Sequence, residues 1–311
     1  MSNRWNVQDI PDQSAKVIVI TGANSGLGYA VAQALAGKNA NLVLAVRSLD
    51  KGEKAAAEIK QQHPSAQLRV MALDLADLES IRAFALAFLA QYSRLDVLIN
   101  NAGVMALPNR RTAQGFEMQF GTNHLGHFAL TGQLLPALKA TPAARVVTQS
   151  SLMHRFGAIH FDDLQWTRRY ERWGAYGQSK LANLLFAYEL QRRLQAANIA
   201  AISVACHPGY SSTNLQTAGV KMDGSSWMAR LIGLGNIVLA QSAEMGALPA
   251  LFAATAPEVQ GEDFIGPTGM GGTRGYPEKV RSTPPSYDQV AARRLWAISE
   301  ELTGVKYAFA S

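Results

Sequence analysis

Short apolar runs rich in β-branched residues alternate along this chain with longer amphipathic stretches. Lys16-Val-Ile-Val-Ile20 is the first such run; a glycine-rich turn, Thr21-Gly-Ala-Asn-Ser-Gly-Leu-Gly28, separates it from the helical pattern of Tyr29 to Ala36. That order reads as strand, turn, helix. Asn41 to Val46 predicts a second strand, and Asp50 to Gln62 an Ala- and Lys-rich surface helix stopped by Pro64. Leu68 to Leu73 predicts a third strand, Leu78 to Tyr92 an apolar helix, and Leu95 to Ile99 a fourth strand. One helix over Gln114 to Lys139 precedes a fifth strand, Ala144 to Thr148, and a long helix carrying Tyr176 precedes a sixth, Ile199 to Ala205. Strands apolar on both faces that alternate with helices imply an α/β fold, a doubly wound parallel sheet with helices on both faces. No repeat or low-complexity linker interrupts it, so residues 1–311 are expected to form a single domain. Residues 211–246 mix amphipathic helix with glycine breaks, as a substrate-side lid or a helical edge packed on the sheet would; residues 287–302 read as a closing helix carrying Leu295, Trp296 and Leu302.

Composition narrows the class. Hydrophobic residues at 48% and charged residues at 17% supply a core of ordinary size. The net charge of +6 suits an anionic ligand, but Lys and Arg are scattered, so no nucleic-acid partner is expected. A single cysteine, Cys206, excludes a disulfide framework and reads as a buried structural thiol in a reducing compartment. The start lacks a signal-peptide core and no window is apolar enough to span a bilayer, so the expectation is a cytoplasmic protein without a membrane anchor. His124 and His127 are three apart with no carboxylate beside them, and no metal site is expected.

The chemistry concentrates at strand ends. Gly22, Gly26 and Gly28, with Asn24, Ser25 and Leu27 between them, follow a strand and open a helix, where bare backbone and free N–H groups can take a pyrophosphate. The second strand ends Ala45-Val46-Arg47-Ser48, with a guanidinium and no acid, which predicts NADP(H) over NAD(H). Asp74, followed by Leu75, is placed either to contact an adenine or to cap the next turn, and Asn100-Asn101-Ala102-Gly103 ends the fourth strand as an edge for a cofactor. Tyr176 and Lys180 lie four apart on one helix face, where a cation is expected to pull the phenol down toward neutral pH.

These motifs, with Asn123, the serines of Val146-Val-Thr-Gln-Ser-Ser151 and Pro208-Gly209, occur in the order and spacing of the short-chain dehydrogenase/reductase family, which the chain resembles over most of its length. The resemblance implies a Rossmann-like fold and a catalytic tetrad of Asn123, Ser151, Tyr176 and Lys180. Tyr176 would be the general acid/base, Lys180 would hold the nicotinamide ribose and acidify the phenol, Ser151 rather than Ser150 would bind the substrate oxygen, and Asn123 would kink a helix and hold a relay water. Asn101, Ala102, Gly103, Pro208, Gly209 and Thr213 would line the cofactor. Gly115 to Phe128, His154, Ser179 to Asn183 and Arg294 to Leu302 look like the retinol-dehydrogenase and protochlorophyllide-reductase-like branch. The implied activity is NADP(H)-dependent interconversion of a carbonyl and an alcohol on an apolar small molecule. Reduction of a polarised C=C bond, or a non-catalytic NADP(H) sensor, are the alternatives. Arg168, Arg169 and Arg172 either meet an anionic substrate or edge a solvated loop. The apolar Leu181, Leu184, Leu185 and Tyr188 face either the sheet or a second subunit, which would make a homodimer or homotetramer.

Overall fold

The computed structural model of the chain describes residues 4–210 and 241–309. Among the described residues, eight strands form one sheet in the order β3-β2-β1-β4-β5-β6-β7-β8. They are β1 Val17–Thr21, β2 Asn41–Val46, β3 Gln67–Ala72, β4 Val97–Asn100, β5 Arg145–Gln149, β6 Ile202–Cys206, β7 Phe264–Gly269 and β8 Arg274–Val280. All neighbours run parallel except β8, which is antiparallel to β7. The chain leaves β1 toward β2 and β3, then returns to β1's other side with β4. Such a reversal opens a crevice at the carboxyl ends of β1 and β4.

Side chains of β1 divide between two cores, as period-two alternation requires. Ile18 and Ile20 pack with α1 (Gly26–Ala36), α2 (Leu49–Gln62) and α7 (Ala243–Thr255). Val17 and Val19 pack with α3 (Leu78–Leu89), α5 (Gly126–Lys139) and α6 (Arg172–Ala196). The sheet is therefore covered on both faces, and the α/β Rossmann-like fold expected from the strand–helix alternation is the one observed.

Several expectations are corrected. Gln67, Arg69 and Ala72 of β3 are exposed, because β3 is the sheet's edge and not a strand apolar on both faces. The helix expected over Gln114 to Lys139 starts only at α4 (Met118–Phe120), capped by the Glu117 carboxylate, and widens into a π-turn over Gly121–Leu125 before α5. The sixth strand begins at Ile202, and the hairpin of β7 and β8, rich in glycine and proline, extends the sheet beyond it. Of residues 211–246, those up to 240 lie outside the described residues; Gln241 is tied to Pro208 O by its Nε2 at 2.7 Å, and Ser242 caps α7.

The closing helix is α8 (Gln289–Thr303), and it settles the environment of α6. Every residue of α6 from Ala175 to Gln191 is buried within the single chain. Leu181 and Leu185 pack with Ala292 and Leu295 of α8, Phe186 stacks on Trp296 at 5.9 Å, and Tyr188 stacks on Tyr287 at 5.3 Å. Leu184 and Tyr188 meet Phe264 of β7. The chain's own elements thus cover these apolar positions, which offer no face to a second subunit. Among the described residues no helix is long and apolar enough to cross a membrane.

Four buried histidines make the fold sensitive to acid. Burial pushes His124 and His207 down to about 3 and His127 to about 4, and lowers His154 as well. A depressed histidine leaves stability intact above its unfolded value near 6.5 and removes it as pH falls toward the folded value, at about 1.4 kcal/mol per pH unit for each. Glu117, raised by burial, works in the opposite direction. Melting temperature is expected to be flat between about pH 7 and 8 and to fall below about pH 6.5; a melting temperature unchanged down to pH 5 would contradict the buried, neutral histidines.

Candidate active site

Thr21 ends β1 at the crevice, and the backbone then turns through Gly22 and Gly26 at φ of 67° and 56°, left-handed conformations suited to glycine. A Cβ on Gly28 would strike the Gly22 carbonyl and lie 2.6 Å from Asn101 Nδ2, so the start of α1 sits against the β1 and β4 ends with no room to spare. Ser25, the residue before α1, gives no side-chain cap, and its side chain is exposed. The first N–H groups of α1 are thus left for an external acceptor, with the helix dipole favouring an anion. Asn24, Gly26 and Leu27 are half-buried around it.

At the end of β2, Arg47 is exposed and makes no hydrogen bond or ion pair among the described residues; Ser48, next to it, gives α2 no side-chain cap. A second uncapped helix start thus follows a free guanidinium in the chain. Asp74 takes the capping role: its Oδ1 accepts from Ala76 N at 2.9 Å, while its own N–H donates to Ser80 Oγ at 2.9 Å. Leu75 is buried, its carbonyl pressed against Gly126 of α5. Asn101 Nδ2 donates to Thr21 O at 2.8 Å, and the N–H groups of Asn101 and Ala102 both donate to Thr21 Oγ1 at 2.9 Å. A Cβ on Gly103 would lie 3.1 Å from Asn123 Oδ1 and 3.5 Å from Lys180 Nζ, which puts this bare residue where those two side chains converge. Pro208 and Gly209, at φ 67°, continue β6 and lean on Thr273. Thr213 lies outside the described residues.

Around this crevice the four tetrad positions come together. Tyr176 is 4% exposed, and the Ser151 side chain lies near enough to its phenol to favour the ionised form. Ser150 points elsewhere: its Oγ donates to Lys180 O at 2.9 Å, a tie between β5 and α6. Of the two serines, only Ser151 meets the phenol. Lys180 Nζ lies 5.7 Å from the centre of the Tyr176 ring and donates to Gln149 O at 3.2 Å. Asn123 sits in the π-turn, its Oδ1 accepting from Val104 N at 2.8 Å and its Nδ2 donating to Val104 O and Ser179 Oγ, both at 2.9 Å. Its side chain thus clamps the loop after β4, a positional role.

The charge states reverse one expectation. Burial pushes the Tyr176 phenol up to about 12, an effect only partly offset by Ser151, and pushes the Lys180 amine down to about 8. Desolvation opposes the charged form of each group, and it is the largest cause acting on both. In the protein alone, Tyr176 is therefore a protonated acid at neutral pH. Cys206 is the inert thiol expected: buried, donating to Gln149 Oε1 at 2.9 Å, and pushed by burial up to about 12.

Other residues near the crevice were given no site role from the sequence. Gln149 O collects both Lys180 Nζ and, at 2.9 Å, Asn183 Nδ2. His127 Nε2 meets Thr21 Oγ1, and its Nδ1 meets Asn123 O, both at 3.0 Å; the four-residue spacing to Asn123 was the available signal. Tyr170, from the long Ser151-to-Tyr176 connection, donates to Leu107 O at 2.8 Å and joins Glu117 and Gln119 in a buried network that holds the loop after β4. Arg168 pairs with Asp162 at 2.8 Å on the exposed edge of that connection.

Comparison with known proteins follows this geometry. The short chain dehydrogenase family profile matches residues 16–223. Human retinol dehydrogenase 13 is 42% identical over 296 residues, covering 94% of this chain and 85% of that one, and human retinol dehydrogenase 12 is 42% identical over 307 residues, covering 98% and 90%. The crystal structure of an uncharacterized protein from Mycobacterium paratuberculosis is 44% identical, with a TM-score of 0.81 over 98% of this chain and 99% of that one. A short chain dehydrogenase from Shigella flexneri, solved in complex with NADP, shares the fold at 22% identity, with a TM-score of 0.63 over 81% of this chain and 97% of that one. The chain belongs to the short-chain dehydrogenase/reductase family of oxidoreductases, in its retinol-dehydrogenase-like branch.

The contact at Gly28 is testable. Gly28→Ala must push the Gly22 carbonyl aside and is expected to cost about 1–3 kcal/mol of stability and to weaken dinucleotide binding by roughly tenfold or more, a loss of about 1.4 kcal/mol. Wild-type melting and fluorescence titration curves would show that the turn is not packed in this way.

Proposed function

We propose that this chain is an NADP(H)-dependent oxidoreductase that interconverts a carbonyl and an alcohol on an apolar small molecule in the cytoplasm. The observation that carries the reading is the buried Tyr176 beside Ser151, one helical turn from Lys180, in a doubly wound sheet that carries the bare glycine turn at the end of β1.

The chain's features fit a phosphorylated dinucleotide. The uncapped start of α1 and the glycines at 22, 26 and 28 would take the pyrophosphate. Arg47, with the uncapped start of α2, would take a 2'-phosphate through charge-assisted hydrogen bonds. Asn101, Ala102, Gly103, Pro208, Gly209 and Thr213 would line the ring and ribose, with Lys180 holding the ribose hydroxyls. Asp74 and Leu75 would border the adenine. When bound, the nicotinamide supplies or accepts the hydride and, when oxidised, brings a positive charge beside the phenol.

The remaining chemistry falls to side chains. Ser151 Oγ and Tyr176 Oη together cradle the substrate oxygen, where negative charge grows as a carbonyl is reduced. Tyr176, protonated at neutral pH because it is buried, donates its proton from Oη to that oxygen. Lys180 and Asn123 hold the route by which the proton is replaced. In the alcohol-oxidising direction Tyr176 must first lose its proton. An apolar substrate is supported by Trp173, whose ring is 46% exposed and 6.4 Å from that of Tyr176, and by the retinol dehydrogenases among the relatives.

Two variants test the reading. Tyr176→Phe is expected to lower turnover of apolar aldehydes by about 10²–10⁴ while NADPH affinity stays within about threefold, a change below 1 kcal/mol; unchanged turnover would remove Tyr176 from proton transfer. Arg47→Asp is expected to weaken NADPH binding by about 1.5–3 kcal/mol, roughly ten- to a hundredfold, and to leave NADH binding nearly as it was. Equal losses for both cofactors would overturn the role given to Arg47.

A further inference from the structure

His127 is fully buried, and neither the metal chemistry of histidine nor the tetrad accounts for it. Its Nδ1 lies 3.0 Å from Asn123 O, which can only accept, so Nδ1 carries the proton. Nε2 is then an acceptor, and its partner at 3.0 Å, Thr21 Oγ1, must donate. The hydroxyl of Thr21 can do so because its lone pairs already receive the N–H groups of Asn101 and Ala102. The alternative acceptor for its proton, Ile99 O, is farther away at 3.3 Å. Beyond Asn123 the chain of bonds continues without a gap: Asn123 Nδ2 donates to Ser179 Oγ at 2.9 Å, and Ser179 Oγ donates to the Tyr176 carbonyl at 2.8 Å.

From this we propose that His127, as the neutral Nδ1–H tautomer, is a positioning residue that locks the dinucleotide-binding turn at Thr21 to the π-turn carbonyl of Asn123, and through Asn123 and Ser179 to the helix of Tyr176. The proposal rests on the dinucleotide reading given above. It gives one imidazole two separable duties. The near nitrogen holds Asn123, and with it the Val104 loop; the far nitrogen holds Thr21, and with it the glycine turn. Burial keeps the ring from taking a second proton, since an imidazolium would leave Thr21 facing a donor where it now faces an acceptor.

Two substitutions separate the duties, because an asparagine amide reaches the place of Nδ1 and a glutamine amide the place of Nε2. His127→Asn keeps the bond to Asn123 and loses the one to Thr21. NADPH affinity, read by fluorescence titration, is expected to fall roughly tenfold, equivalent to one net hydrogen bond of about 1.4 kcal/mol, while amide exchange at Val104, whose N–H donates to Asn123 Oδ1, stays as in the wild type. His127→Gln is expected to do the reverse, with affinity within about threefold and Val104 exchange roughly tenfold faster. In the wild type, long-range ¹H–¹⁵N spectra are expected to show Nδ1 protonated and Nε2 bare. The same pattern from both variants, or an Nε2–H tautomer, would overturn the proposal. A wild-type protein that failed to bind NADPH would overturn the dinucleotide reading and, with it, the Thr21 duty, whereas Val104 exchange and the tautomer would still decide the Asn123 duty.

Discussion

Desolvation of two ionisable side chains one helical turn apart is the constraint on which the site depends. Tyr176 and Lys180 lie inside a helix segment with no exposed residue, so each is held away from its charged form: the phenol up to about 12 and the amine down to about 8. The outcome is an acid that keeps its proton and a base close to releasing one. Such a pair needs a rigid, dry setting, because water reaching either group would return its pKa toward the ordinary range. α8 and the 284–287 turn seal the outer side of α6, while β5 and β6 close the inner side. Packing far from the crevice therefore sets the electrostatics within it.

Position is supplied by topology. The reversal of strand order beside β1 brings Thr21, Asn101 and Gly103 to one crevice, and the next strand along, β5, delivers Ser151 to the phenol. Fixed backbone contacts set the spacing: the Gly28 approach to Gly22, the Asn101 bond to Thr21 O, and the Asn123 clamp on Val104. Few of these bonds involve long flexible side chains, so little conformational freedom remains to be lost when a ligand arrives. The free groups in the region, Arg47 and the uncapped starts of α1 and α2, are those suited to an anion.

Much of this was legible in the sequence. β2 fell where its apolar run placed it, and the glycine turn between β1 and α1 and the helix carrying Tyr176 and Lys180 were readable because each motif is local. What was not legible depended on distant partners. The β7–β8 hairpin carries Gly266, Pro267, Gly269, Gly275 and Pro277, which hide any alternation. The π-turn at Asn123 has the same apolar spacing as a helix. Leu181, Leu184, Leu185 and Tyr188 read as facing either the sheet or a second subunit because what covers them lies far along the chain, α8 over Leu181 and Leu185 and β7 over Leu184 and Tyr188. The direction of the Tyr176 shift was misjudged for the same reason: spacing reveals a neighbouring charge, whereas burial is a property of the whole fold.

The central claim, that burial rather than the neighbouring cation governs the Tyr176 phenol in the protein alone, is tested most directly by titrating it. Ring-labelled ¹³C-tyrosine spectra, with the Tyr176 signal assigned by its loss in Tyr176→Phe, would follow ionisation from about pH 7 to 10.5, a range spanning the ordinary tyrosine value near 10. The account predicts a phenol still protonated at the upper end of that range. A midpoint well below the ordinary value would mean that the Lys180 charge prevails over desolvation, and would contradict it.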